Sequence, residues 1–77
     1  MKLQQLRCIY EVVLNSFNIS SAAKTMHTSQ PGVSKQIQLL EEEIGDKIFQ
    51  RHGKRLVGLT DPGEKVFESI SEIIRES

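Results

Sequence analysis

The sequence predicts a mostly α-helical domain that carries one small β-hairpin. Apolar residues recur at three- and four-residue steps along most of the chain, the period that turns one face of a helix toward a core. The run from 48 to 60, IFQRHGKRLVGLT, breaks that period and sets two short apolar stretches around a polar, glycine-containing centre, as two strands flank a turn. No internal repeat, low-complexity run or flexible linker divides the 77 residues, so one domain is expected.

The first helix is predicted from Leu3 to about Phe17, because Leu3, Leu6, Tyr10, Val13 and Phe17 step by three or four. Asn15, Ser16 and Asn18 mark its end and a turn. Cys8 falls beside this stripe and reads as a small buried hydrophobe rather than a reactive thiol. As the only cysteine it permits neither an internal disulfide nor a multi-cysteine zinc site, which suits a reducing compartment.

A second, short helix follows, with Ser20 or Ser21 as its cap and Ala22, Ala23 and Met26 as its apolar side. His27 falls at the next turn, where a solvated histidine is the favoured reading over a phosphate contact. Thr28 and Ser29 supply capping hydroxyls for a third helix, and Pro31 suits its first turn, where no intrahelical amide bond is lost. Val33, Ile37, Leu40 and Ile44 make a narrow apolar stripe, and Gly45 closes the helix as a left-handed cap. Gln30, Pro31, Ser34, Lys35 and Gln38 occupy an arc away from that stripe, with one cation and no carboxylate. Such a face can meet base edges and phosphates. Gly32 has two readings, a close approach of backbone to DNA or a first-turn glycine of little consequence. Glu41, Glu42 and Glu43, near the negative end of the helix dipole, are expected to be solvated or paired with a neighbour such as Lys47.

The hairpin places His52, Gly53, Lys54 and Arg55 at a basic tip. Thr60 caps a last helix that opens with Asp61 and Pro62, an acid favoured by the dipole and a proline tolerated in the first turn. Val66, Phe67, Ile70, Ile73 and Ile74 line one side of it, and that stripe is expected to need a partner surface.

Net charge is zero, which alone argues against a nucleic-acid partner. The distribution argues otherwise. Residues 12–40 carry Lys24 and Lys35 and no acid, and residues 47–55 carry Lys47, Arg51, Lys54 and Arg55 and no acid. No apolar run reaches transmembrane length, and a cytoplasmic location without membrane contact is expected.

The stretches SSAAKTMHTSQPGVSKQIQLLEEEIG, IFQRHGKRLVGLT and DPGE, in that order, resemble the N-terminal winged helix-turn-helix domain of LysR-type transcriptional regulators, over Leu3 to Glu64. The opening MKLQQLR, with TSQPGVSKQ and HGKRL, looks most like the CysB-type branch, which controls sulfur assimilation. The resemblance implies that the helix from Ser29 is a recognition helix, with Thr28, Ser29, Gln30, Pro31, Ser34, Lys35 and Gln38 toward DNA. It places Arg51, Lys54 and Arg55 in a wing that approaches the minor groove or its phosphates. It makes residues 1–60 the DNA-binding domain and residues 61–77 the start of a linker helix that pairs two subunits through Val66, Phe67, Ile70, Ile73 and Ile74. It further implies double-stranded DNA as partner, a homodimer or higher oligomer, a roughly palindromic operator and a small-molecule effector on a domain outside this chain. Lys35 stands where many members carry arginine, and lysine lacks arginine's planar fork.

A helical protein-interaction module using the C-terminal stripe is the alternative. It explains the neutral charge but not the cations gathered on the third helix and the hairpin. Catalysis is rejected: His27 and His52 lie on separate turns, no carboxylate is spaced with either for a metal, and no phosphate-cradling glycine motif occurs. No cofactor is expected.

Overall fold

The computed structural model describes residues 2–76, so the outermost positions of the predicted domain boundaries, Met1 and Ser77, lie outside the described residues. In chain order the elements are α1 (Leu3–Leu14), α2 (Ile19–Thr25), α3 (Gln30–Ile44), β1 (Phe49–His52), β2 (Arg55–Leu59) and α4 (Asp61–Glu76). This is the expected class, helices with one antiparallel hairpin.

Helix α1 stops at Leu14, three residues short of the predicted end, because the chain turns left-handed at Ser16 (φ 56°) and Phe17 (φ 66°). The Phe17 amide donates to the Val12 carbonyl at 2.7 Å and the Ser16 amide to Val13 at 3.1 Å, the paired bonds of a Schellman ending. The cap of α2 is Asn18 rather than Ser20 or Ser21. Asn18 is extended, and its side-chain oxygen accepts the Ser21 amide at 3.0 Å, which moves the helix start forward to Ile19. The turn after α2 repeats the first ending, with His27 left-handed (φ 56°) and the Thr28 amide donating to Ala23 at 2.9 Å.

The boundaries of α3 fall where the local chemistry puts them. Ser29 Oγ accepts the Gly32 amide at 3.1 Å, and Gly45 closes the helix at φ 86°. A Cβ on Gly32 would lie 2.9 Å from Thr28 Oγ1 and 3.1 Å from Ser29 Oγ, so the capping hydroxyls themselves account for a small residue there.

One core joins every element. Leu6, Ile9 and Val12 of α1 meet Ala22 and Ala23 of α2, Val33, Ile37 and Leu40 of α3, the β1 lead-in Ile48 and Phe49, Leu56 of β2 and Ile70 of α4. Phe17 stands edge-on to Phe49 with ring centres 6.1 Å apart. Cys8 is buried, and desolvation raises its thiol pKa above the ordinary value, which leaves it a packing residue.

Two expectations about surface groups are corrected. Glu41 is buried, not solvated or paired with Lys47: its Oε2 accepts the amides of Ile48 at 2.8 Å and Phe49 at 3.4 Å, at the point where the chain enters the hairpin. Glu42 and Glu43 are exposed. The α4 stripe, expected to await a partner surface, is largely used within the chain. Ile70 is 2% exposed, Phe67 stacks on Tyr10 of α1 with ring centres 5.9 Å apart, and Val66 and Ile74 pack partly buried against the core. Ile73 alone of the five is well exposed, at 48%.

Candidate nucleic-acid interface

The polar half of α3 is presented by its neighbours. Its apolar residues Val33, Ile37 and Leu40 are fully buried against α1 and α2, so geometry forces Pro31, Lys35 and Gln38 outward. Gln30, the first residue of α3, is also exposed and faces the start of α2, where its Nε2 donates to Ser20 Oγ at 3.1 Å.

The hairpin stands beside this surface. Strands β1 and β2 pair from Phe49–Leu59 to His52–Arg55, with a register shift after Gln50 that leaves Val57 as the extra residue of a bulge. Bulges raise local twist, and here one lies between the buried root of the hairpin and its basic tip. Gly53, at φ 64°, takes the first position of the two-residue turn, a backbone region that glycine enters without steric cost. Lys54 and Arg55 are carried on that turn and its exit, both exposed.

Between the start of α3 and the hairpin tip lies an open cleft of about 370 Å³. Gln30 and Ser34 of α3 and Lys54 and Arg55 of the hairpin line it, together with Asn18 and Ser20. No carboxylate lines it. The first turn of α3 is likewise without an acid, so the positive end of the helix dipole adds to the field of Lys54 and Arg55. The arrangement attracts a polyanion and offers it hydrogen-bonding side chains.

Four of the ten predicted contact residues, Gln30, Ser34, Lys54 and Arg55, are brought together in this cleft. Thr28, Ser29, Pro31 and Lys35 are exposed around the same end of α3. Arg51 is exposed on β1, before the tip. Gln38 sits apart, in a second concavity with Glu41, Glu42, Gly45, Asp46 and Lys47, where carboxylates would face an approaching phosphate. Sequence reasoning missed Ser16, Asn18 and Ser20 as lining residues. Their only signal was the polar run NSFNISS, which reads equally as a turn with caps.

Two helices joined by a tight turn, with the second presented to solvent and a basic hairpin alongside, define a winged helix-turn-helix domain. The family profile described as bacterial regulatory helix-turn-helix protein, lysR family, matches residues 3–64, and the chain belongs to that family. It is 50% identical over 76 residues to the HTH-type transcriptional regulator CysB of Burkholderia cenocepacia, covering 99% of this chain and 24% of that protein. It is 47% identical over 77 residues to the HTH-type transcriptional regulator SsuR of the same organism, covering 100% of this chain and 25% of that protein. Its backbone matches the crystal structure of the CbnR_DBD–DNA complex with a TM-score of 0.87 at 31% identity, covering 97% of this chain and 84% of that one.

The chain thus spans about a quarter of the length of the curated relatives it matches. Those relatives are transcriptional regulators, and the chain is a domain of that kind, not an enzyme. Among the described residues, no helix is long and apolar enough to cross a membrane.

Proposed function

We propose that this domain binds double-stranded DNA sequence-specifically, with α3 in the major groove and the hairpin tip on the adjacent minor groove or backbone. The cleft lined by Gln30, Ser34, Lys54 and Arg55, without a carboxylate, carries the reading: it joins base-reading amide and hydroxyl groups to phosphate-seeking cations. The match to a solved DNA complex of a related domain supports it. Gln30 can pair with adenine, the Pro31 ring can meet a thymine methyl, and Lys35 can reach guanine or a phosphate.

Two copies pairing through α4, with Ile73 as the exposed apolar contact and Val66, Phe67 and Ile74 at its margin, read a roughly palindromic operator. Their recognition helices then enter successive major grooves about 34–36 Å apart. The likeness to CysB and SsuR supports a cytoplasmic regulator of sulfur metabolism genes, governed by a small molecule bound outside this chain.

Selection of random duplex DNA by the chain at low and moderate salt tests this. Enrichment of two-fold related half-sites one helical turn apart, lost as salt rises, is the expected result. Enrichment of a single half-site would remove the dimer and keep the recognition. No enrichment at any salt would remove the DNA reading.

A further inference from the structure

We propose that Ser20 is a positioning residue for base readout: its hydroxyl holds the Gln30 amide in place at the start of α3, where that amide is presented to DNA. The inference rests on the DNA reading above and deepens it.

A glutamine side chain at the exposed start of a helix has several rotatable bonds, and its amide can present oxygen and nitrogen in either order. Gln30 is in that situation, yet its Nε2 donates to Ser20 Oγ at 3.1 Å, across ten residues of sequence and between two helices. Ser20 is half-buried in α2 and has a single side-chain torsion to its oxygen, whereas Gln30 is longer and exposed, so the bond restrains the freer of the two side chains. Both residues line the cleft that also holds Ser34, Lys54 and Arg55.

The bond uses one of the two amide hydrogens. The second hydrogen and the oxygen Oε1 remain available, side by side. That edge is complementary to adenine in the major groove, which offers the N7 acceptor next to the N6 donor. The serine hydroxyl donates as well as accepts, so a reversed amide would keep a bond to Ser20 through Oε1; the bond holds the amide's place, and the base pair it meets selects its order. Ser20 therefore supports base reading by Gln30 without touching a base.

The test is selection from random duplex DNA with the unaltered chain and with Gln30→Ala, Ser20→Ala and Ser20→Thr. Preferences are read as ratios between bound sequences, which do not depend on the folded fraction. Gln30→Ala should flatten one base-pair position of the half-site. Ser20→Ala should flatten that same position by about fivefold, the worth of one ordinary hydrogen bond, and leave the others alone. Ser20→Thr, which keeps the hydroxyl, should retain the preference. An unchanged preference in Ser20→Ala beside a flattened one in Gln30→Ala overturns the positioning role and leaves the DNA reading standing. A uniform loss across all sequences in Ser20→Ala makes the hydroxyl a backbone contact only, and equal losses in the Ala and Thr variants exclude its hydroxyl as the cause. An unchanged profile in Gln30→Ala removes the base-reading role of Gln30, and no enrichment by the unaltered chain removes the DNA reading; the inference falls with either.

Discussion

The Glu41 carboxylate accepts the backbone amide of Ile48 at 2.8 Å, tying the last turn of α3 to the root of the hairpin. A longer bond from the Phe49 amide, at 3.4 Å, reaches the same oxygen. The wing thereby acquires a fixed position relative to α3. Glu41→Ala leaves both amides buried without an acceptor and should cost about 2 kcal/mol, lowering Tm by roughly 8–16 °C for a domain of this size. Glu41→Gln keeps an acceptor oxygen and should lose about half as much. Thermal unfolding followed by circular dichroism distinguishes the two, and equal losses would mean that the charge and not the acceptor matters.

Gly63 allows α4 to start against the chain entering β1. A Cβ there would lie 2.0 Å from the Ile48 carbonyl oxygen, a backbone atom that also accepts a hydrogen bond from the Thr60 amide at 3.0 Å. Neither partner is a flexible side chain. Gly63→Ala should destabilise by about 2–4 kcal/mol, visible as a shift in the urea midpoint, even though alanine is the better helix former.

His27 holds a left-handed conformation at the turn between α2 and α3. Non-glycine residues there carry strain of about 1 kcal/mol, partly offset in a glycine variant by greater freedom of the unfolded chain. His27→Gly should raise Tm by about 2–4 °C and leave DNA affinity unchanged. A loss of affinity in this more stable variant would assign the imidazole a phosphate contact.

Lys35, Arg51 and Arg55 are exposed, so replacing each with alanine should alter stability by no more than about 0.5 kcal/mol. Each should weaken DNA binding and, where it neutralises a phosphate, reduce the slope of log affinity against log salt by about one. Fluorescence anisotropy across a salt series reads both quantities. Gln38→Ala, whose side chain lies beside Glu42 and Asp46, should change neither.

Ile70 and Ile73 are three residues apart on α4 but have opposite surroundings, 2% and 48% exposed. Ile70→Ala should destabilise the monomer by about 2–4 kcal/mol. Ile73→Ser should shift sedimentation toward the monomer and lower Tm only by the part that depends on protein concentration. A dimer that survives Ile73→Ser would move the subunit contact away from α4.

Much of this molecule is legible from short-range chemistry. Ser29 and Thr60 cap the helices that follow them because each hydroxyl lies one turn from the amide it accepts, 3.1 Å for Gly32 and 2.9 Å for Gly63. Gly45 ends α3 because the left-handed region is least costly for glycine. The polar arc of α3 and the basic hairpin tip follow from residue spacing in the same way. Where three polar residues compete over a few positions, as Asn18, Ser20 and Ser21 do, the local pattern alone does not choose, and the left-handed turn at Ser16 and Phe17 selects Asn18.

The tertiary structure decided what each face meets. An apolar stripe has the same spacing whether its partner is another chain or its own, and only the packing of α4 on α1 sends Ile70 and Phe67 inward and leaves Ile73 out. Glu41 reads as one of three equivalent surface acids until the chain reversal at Gly45 brings the Ile48 amide to it, seven residues on. The cleft that gathers Ser20, Gln30 and Arg55 depends on the crossing of α2 and α3 and on the bulged hairpin beside them. Local hydrogen bonds fix where helices begin and end, because their partners are neighbours in the chain; contacts between distant residues exist only after the core has set the angles between elements.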